Sequence, residues 1–537
     1  MNEKKIIYGG PILTINENQP YVEAVAIEGE KIVAVGNLPD IKNKMGKDFE
    51  LVNLNGSTLL PGFIDCHLHP IVYMCVFLTL DLSNIRSLKD LQSLLKNKAD
   101  NSEHNEIIVG LRLNEELFDE PILPNKWDLD NICPKNPVFL LRYDGHTGIA
   151  NSKALELAGI DKNSINPEGG EIRKNQNGEI TGILTENAVA PLLSLAIDVI
   201  KLNSEELKEA ARKTFIDLAK EGITTIHGIL SYDIEGEFGD YGAIEVPILK
   251  SVMNNILQNW YALVFTKRIK KLMRLSKKLF GTDKENKKFK INCLKLFLDG
   301  TLGTKTACMF EPFSDDPKSC GFCVIDEEEI YEIMKKAHFN DYQIGIHAIG
   351  DKGNRIAVDL FKKLLKEFPR EDHRHRVEHA SILTPDVIKD MKKLGLIASC
   401  QPPFINSEYT WLEKRLGKER CKYTYPYKSL IDAGVIIASS SDTPVESPSV
   451  IMGLHAMVTR NNFIPEECIT IEEALKTYTI NGAYAGFEEQ IKGSIEVGKL
   501  ADLVILDKNP LEVPKDEIKT IKVLETIIRG KTVYKMS

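Results

Sequence analysis

The sequence predicts a (β/α)8 barrel with insertions, joined to a small composite β-sandwich built from both ends of the chain. Three observations carry this. Through the middle of the chain, apolar strands alternate with helices, the order that builds a parallel sheet, and the number of units suits a barrel. Both ends instead read as short alternating strands with Gly and Asn turns. Finally, His, Lys and Asp recur at the ends of the apolar strands, where a polar group is costly without a partner.

Residues 1–57 contain "KIIYGGPILTI", "YVEAVAIEGEKIVAVG" and "FELVNLNGST", and residues 491–537 contain "GSIEVGKLADLVILDKNP" and "KVLETIIRGKTVYK". The two ends are assigned to one sandwich domain, and 58–490 to the barrel. Strands are expected at 106–114, 137–146, 223–229, 260–266, 291–300, 343–351, 375–381, 396–403 and 435–444. Between them, 204–222 reads as a helix with Ser204 as N-cap and Gly222 as stop. An inserted cap is expected around 155–200. Within it, 166–188 reads as a hairpin about Asn177-Gly178, placed to roof the barrel mouth.

The chain has 537 residues, 43% apolar and 27% charged, with a net charge of −9. These values describe a soluble globular protein and argue against nucleic-acid or membrane-surface binding. The Lys/Arg-rich stretch 267–290 reads as a solvated helix face. The first residues lack a long apolar h-region, so the expectation is a cytoplasmic protein. A small-molecule substrate and, by default, a homodimer are the expectations if the polar residues at the strand ends are catalytic.

Most of the ten cysteines sit in apolar segments and read as buried thiols. Cys320-Gly-Phe-Cys323 is a CxxC, which a redox pair or half of a zinc clip would use. With no second CxxC in the chain, two loop thiols is the favoured reading.

"LLPGFIDCHLHP" runs apolar residues into His67 and His69, two apart and therefore on one face of a strand. Lys295 lies in "CLKLFLDG", His347 in "IGIHAIGD", His379 in "RVEHA" and Asp442 in "ASSSDTP". Each alone has an ordinary structural explanation. Together, in chain order on successive strand ends, they occupy the face where barrel active sites form. Four imidazoles and a carboxylate suit zinc or a similar divalent metal, one or two per chain. A protonated Lys295 cannot ligate. Its CO2-derived carbamate would carry two oxygens and a negative charge, enough to bridge two cations.

"PGFIDCHLHP", "KLFLDGTLGTKTA", "IHAIGD", "RVEHAS", "SSDTPV" and "GSIEVGKLADLVILD" together resemble the amidohydrolase superfamily, and within it the amidohydrolase-3 group of YtcJ-like and N-substituted formamide deformylase-like metal-dependent hydrolases. The resemblance extends through "DGHTGIANSKAL" and covers nearly the whole chain. It implies that His67 and His69 hold one metal, that a carboxylated Lys295 bridges, that His347 and His379 hold a second, and that Asp442 touches metal and water as the proton carrier. It implies hydrolysis of a C–N bond other than a peptide bond in an amide, formamide, carbamate or cyclic amide. An ester or lactone hydrolase and a non-catalytic regulatory protein on the same fold are the alternatives. His146 is a second-tier catalytic candidate, as oxyanion donor or loop orienter, and Glu186 a weaker one. For His227 the sequence leaves open whether it lines the site or packs.

Overall fold

The structure, a computed structural model, describes residues 4–143, 145–167, 169–197, 200, 202, 204–232, 239–280, 288–323 and 326–537. Its centre is an eight-stranded parallel sheet curled into a nearly closed barrel. In chain order the strands are Phe63–Leu68, Ile223–Ser231, Asn259–Phe265, Phe289–Phe297, Gln343–Ala348, Arg376–His379, Ile397–Cys400 and Ile437–Ser439. The first and last meet at their C-terminal ends. There Asp442 N–H donates to the His67 carbonyl at 2.8 Å and His69 N–H to the Thr443 carbonyl at 2.7 Å.

The helix expected at 204–222 spans Glu205–Lys220, and the Ser204 side chain accepts from Leu207 N–H. Gly222 then turns at φ +78, and a Cβ there would stand 2.8 Å from the Phe63 ring. That close approach lets the second barrel strand start against the first. The basic stretch 267–290 forms the helix Ile269–Phe280, with Leu272 and Leu275 buried and its lysines outward, as a solvated face requires. Residues 281–287 of that stretch lie outside the described residues.

Two four-stranded sheets form the sandwich. One has the order Lys31–Gly36, Ala24–Glu28, Lys4–Tyr8, Glu50–Asn53. The other has Lys531–Lys535, Val523–Ile528, Leu503–Leu506, Thr58–Pro61, so the two ends of the chain share a sheet. Ile7, Val25, Ile27, Leu59, Leu503 and Ile527 fill the space between the sheets.

The expected strands 106–114 and 137–146 are not barrel strands. They form Ile108–Leu113 and Val138–Arg142 of a separate six-stranded sheet inserted between the first two barrel strands. That sheet packs its own core of Leu91, Leu95, Ile108, Leu129, Val138 and Leu140. Apolar strands alternating with helices have the same pattern in either sheet, so periodicity could not separate them. The insertion thus begins near Leu80, well before 155. It ends in the expected hairpin, Gly170–Lys174 against Ile180–Glu186, with Gly178 at φ +79 in the turn. No helix among the described residues is long and apolar enough to cross a membrane.

Candidate metal centre

The C-terminal ends of the barrel strands converge under the inserted sheet. His67 and His69, on the first strand and just past it, point the same way, as strand alternation requires. Their Nε2 atoms lie 3.5 and 3.4 Å from Asp442 Oδ1, and ligand atoms of all three fall within 4.8 Å of one another. The His379 ring continues the cluster, 4.8 Å from the His67 ring and 4.3 Å from the His347 ring. Lys295 lies fully buried on the fourth strand, with Nζ 4.8 Å from the Phe297 ring centre. The six residues expected to hold metal are therefore gathered at one end of the barrel.

Two of them depend on unusual backbone. His379 has φ +70 and Asp442 φ +60, in the left-handed region that non-glycine residues seldom occupy. Such conformations persist where the surroundings hold them in place, often at functional sites. At His379 the turn swings the imidazole toward His67 and His347.

A second layer fixes the imidazoles. Glu378 Oε2 accepts from His67 Nδ1–H at 2.6 Å, leaving Nε2 toward Asp442. Gln401 Oε1 lies 2.7 Å from His379 Nδ1 and its amide donates to Ser440 Oγ at 2.9 Å. His347 Nε2 is 3.3 Å from the Gly300 carbonyl. Asp65 accepts from Ser441 N–H and hydroxyl and so ties the first strand to the last. Sequence reasoning missed Glu378, Gln401 and Asp65. The signal was present for two of them, as carboxylates inside the buried runs "RVEH" and "FIDCHL".

Electrostatics keep the imidazoles ready to ligate. Burial drives His67, His347 and His379 well below the usual imidazole pKa, reinforced by neighbouring positive groups, so they stay neutral. Burial lowers the Lys295 ammonium to about 8, against the opposing pull of Glu378 and Asp442. Burial pushes the Glu378 carboxyl up, but the Arg376 guanidinium and Lys295 outweigh it and the net shift is down.

Lys295 Nζ, His347 Nδ1 and Asp442 Oδ1 are buried with no hydrogen-bond partner among the described residues. Orphaned polar atoms this deep are costly unless an ion or a modification takes them up. The donor set of neutral imidazole nitrogens and carboxylate oxygen fits a divalent first-row metal. His67, His69 and Asp442 bring such donors within 4.8 Å of one another.

His146 and Glu186 flank this centre. His146 lines the same cavity as His69, His347, His379 and Asp442, and its Nδ1 is 2.7 Å from Glu186 Oε2. His227 does not belong to it. Its Nδ1 takes a hydrogen bond from Arg376 at 3.0 Å and its ring packs 4.9 Å from Tyr261, inside the barrel below the cluster. The Cys320/Cys323 motif is not a thiol pair either: the sulfur facing Cys323 is that of Cys308, at 2.7 Å.

A parallel barrel with this cluster at its carboxyl end defines a metal-dependent hydrolase. The chain belongs to the amidohydrolase family, whose model matches residues 50–534. It is 32% identical to the protein YtcJ of Bacillus subtilis strain 168, over 99% of this chain and 100% of that one. It is 25% identical to the N-substituted formamide deformylase of Arthrobacter pascens, over 98% and 97% of the two chains. Among solved structures it resembles an uncharacterized metal-dependent hydrolase from Pyrococcus horikoshii, with TM-score 0.74 and 26% identity, covering 96% of this chain and 99% of that one.

Proposed function

We propose that the protein hydrolyses the C–N bond of a small neutral amide, formamide, carbamate or cyclic amide. The observation that carries this is Asp442. Its carboxylate stands within reach of both His67 and His69 at the open end of the barrel, facing the cavity. His67, His69, His347, His379, Asp442 and a carboxylated Lys295 would hold one or two divalent cations, zinc being the first candidate. When bound, the metal supplies a Lewis acid for the carbonyl and lowers the pKa of the attacking water.

The chain's own groups do the rest. Asp442 accepts the proton of the attacking water and returns it to the departing nitrogen, so the amine leaves neutral. His146, with its Nδ1–H given to Glu186, donates from Nε2 to the carbonyl oxygen in its doubly protonated form, as negative charge grows there. Glu186 fixes the ring of His146 through Nδ1. Lys295 reacts as the free amine: its nitrogen bonds the carbon of CO2 and loses a proton, giving the carbamate. Burial supports this step by holding the ammonium near 8.

The cavity wall supports an apolar substituent on the substrate. Leu111, Phe139, Leu141 and Leu193 of the insertion face it, with Phe297 and Phe404 from the barrel side. The test is a panel of neutral N-substituted amides and formamides beside matched esters and lactones, on metal-loaded protein. Amide turnover that vanishes with a chelator and in Asp442→Asn supports the reading. Turnover of the esters alone would replace it with an ester hydrolase.

A further inference from the structure

One pair of nucleophilic side chains plays no part in this chemistry. After the fourth barrel strand the chain folds back on itself: Phe322 N–H donates to the Thr306 carbonyl at 3.2 Å and Met309 N–H to the Cys320 carbonyl at 2.8 Å. Asp299 and Cys323 pair as an antiparallel bridge. Gly321, at φ +64, permits this contact, because a Cβ there would lie 1.9 Å from the Ala307 carbonyl oxygen. Two backbone runs are thus held together, and they set Cys308 Sγ against Cys323 Sγ at 2.7 Å. Cys308 is buried and Cys323 half-exposed on a polar cleft. Cys320 makes no sulfur contact among the described residues.

The same segment walls the substrate cavity. Thr301, Leu302 and Gly303 line the metal cavity, and Thr306 and Cys323 line the adjoining cleft, which shares Gly303 and Arg142 with it. Thr304 Oγ1 lies 2.5 Å from Thr306 Oγ1 and 3.4 Å from Glu186 Oε1. A bond at Cys308 therefore acts two residues from the hydrogen bonds that reach the Glu186–His146 pair.

We propose that Cys308 and Cys323 form a reversible disulfide by exchange with a small-molecule disulfide of the glutathione type, fixing the 299–323 wall of the cavity. The Cys323 thiolate, reachable from the cleft, attacks one sulfur of the small disulfide, whose S–S bond breaks and releases one thiolate. Cys308 loses its proton to water, attacks the Cys323 sulfur and expels the second small thiolate. Two protein thiols give up two protons and two electrons, and the small disulfide is reduced to two thiols. Exposure favours this order: Cys323 is half-exposed and lines the cleft, while Cys308 is buried behind it.

The experiment uses the full-length, metal-loaded protein. It is incubated in a buffer of oxidised glutathione, alkylated and mapped by peptide mass spectrometry, and the rate of tryptic cleavage after the exposed Lys318 is measured in parallel. The expected product joins the Cys308 and Cys323 peptides, reverses with dithiothreitol and forms equally in Cys320→Ser. Cleavage at Lys318 is expected to slow several-fold on oxidation. A Cys320–Cys323 link, or Cys308 left fully alkylated, overturns the pairing. An unchanged cleavage rate in fully cross-linked protein overturns the fixing of the wall. None of these readouts needs a substrate, so the inference stands or falls apart from the hydrolase reading.

Discussion

The Glu378 carboxylate, one residue before His379, bonds across the barrel to His67 instead, accepting from Nδ1–H at 2.6 Å. Its side chain is fully buried and faces the Arg376 guanidinium at 2.8 Å, which keeps it charged. A carboxylate behind a metal-binding imidazole fixes the ring's tautomer and raises its basicity. Glu378→Gln is expected to weaken metal binding about 10- to 100-fold, read by competition with a metallochromic chelator. Glu378→Ala also leaves the Arg376 guanidinium buried without its partner, which costs about 3–5 kcal/mol of stability. An affinity unchanged in Glu378→Gln would remove this carboxylate from the metal site.

Asp442→Asn keeps the shape and one oxygen of the side chain but cannot carry a proton. Metal content by elemental mass spectrometry is expected to stay near the wild-type level. Turnover is expected to fall by about 10²–10⁴-fold, the usual worth of a positioned general base. Wild-type turnover in this variant would exclude Asp442 as the proton carrier.

Lys295→Ala removes the proposed carbamate. Metal per chain is expected to fall about tenfold or more, as for loss of a ligand or its close support, with partial recovery on adding bicarbonate and a short-chain acid. In the wild type, 13C-labelled bicarbonate is expected to give one carbamate carbon signal that is absent from the variant. Full metal content in Lys295→Ala, with no carbamate signal in the wild type, would exclude the modification.

Much of this centre was legible in the sequence, for one physical reason. A polar residue inside an apolar strand must be partnered, so His67, His69, Lys295, His347, His379 and Asp442 stood out wherever such strands ended. What was not legible was orientation. Glu378 and His379 are adjacent, and strict alternation would send them to opposite faces. The positive φ of His379 brings its ring to the same cluster that Glu378 supports, and no periodicity announces such a turn. The six-stranded insertion was misread for a related cause. Strand 138–142 is as apolar as a barrel strand, and only its pairing with Ile108–Leu113 and Thr147–Ala150 distinguishes it. The CxxC spacing left two loop thiols as the reading for Cys320 and Cys323; that Cys323 faces Cys308 was not legible, because the backbone contact at Gly321 that brings them together leaves no mark in the spacing.

Glu186→Gln tests the role of His146 without touching a proposed metal ligand. The amide no longer offers a charged acceptor to His146 Nδ1, so the ring loses its fixed orientation. Turnover is expected to fall by up to about 100-fold, the low end of the cost of losing an oxyanion donor outright, while metal content stays at the wild-type level. Substrate KM is expected to change far less than kcat, because the hydrogen bond strengthens as charge develops. A rise in KM with kcat intact would make His146 a binding residue.

Glu408 gives a prediction about stability. It ends the helix Pro403–Glu408, lines the cavity, and takes a hydrogen bond from the Tyr425 phenol. Burial pushes its carboxyl up to about 8, against the lowering effect of the Tyr425 hydrogen bond. In the unfolded chain the same group ionises near the ordinary value of about 4.3. Between these two pH values the folded protein holds a proton that the unfolded chain has lost. Stability from this group is therefore complete below the unfolded pKa and declines as pH rises toward 8. Glu408→Gln preserves the size and the acceptor for Tyr425 but has no proton to lose. The Tm of the variant is expected to gain a few degrees on that of the wild type between pH 5 and pH 8, with the gap level above pH 8. Glu245, Asp65 and Asp299, whose carboxyls burial also raises, are common to both proteins and cancel in the difference, whereas Glu446, whose charge helps to raise Glu408, contributes to the gap. A gap that stays constant across this range would mean that the Glu408 carboxyl is already ionised at pH 5, and that the Tyr425 hydrogen bond outweighs its burial.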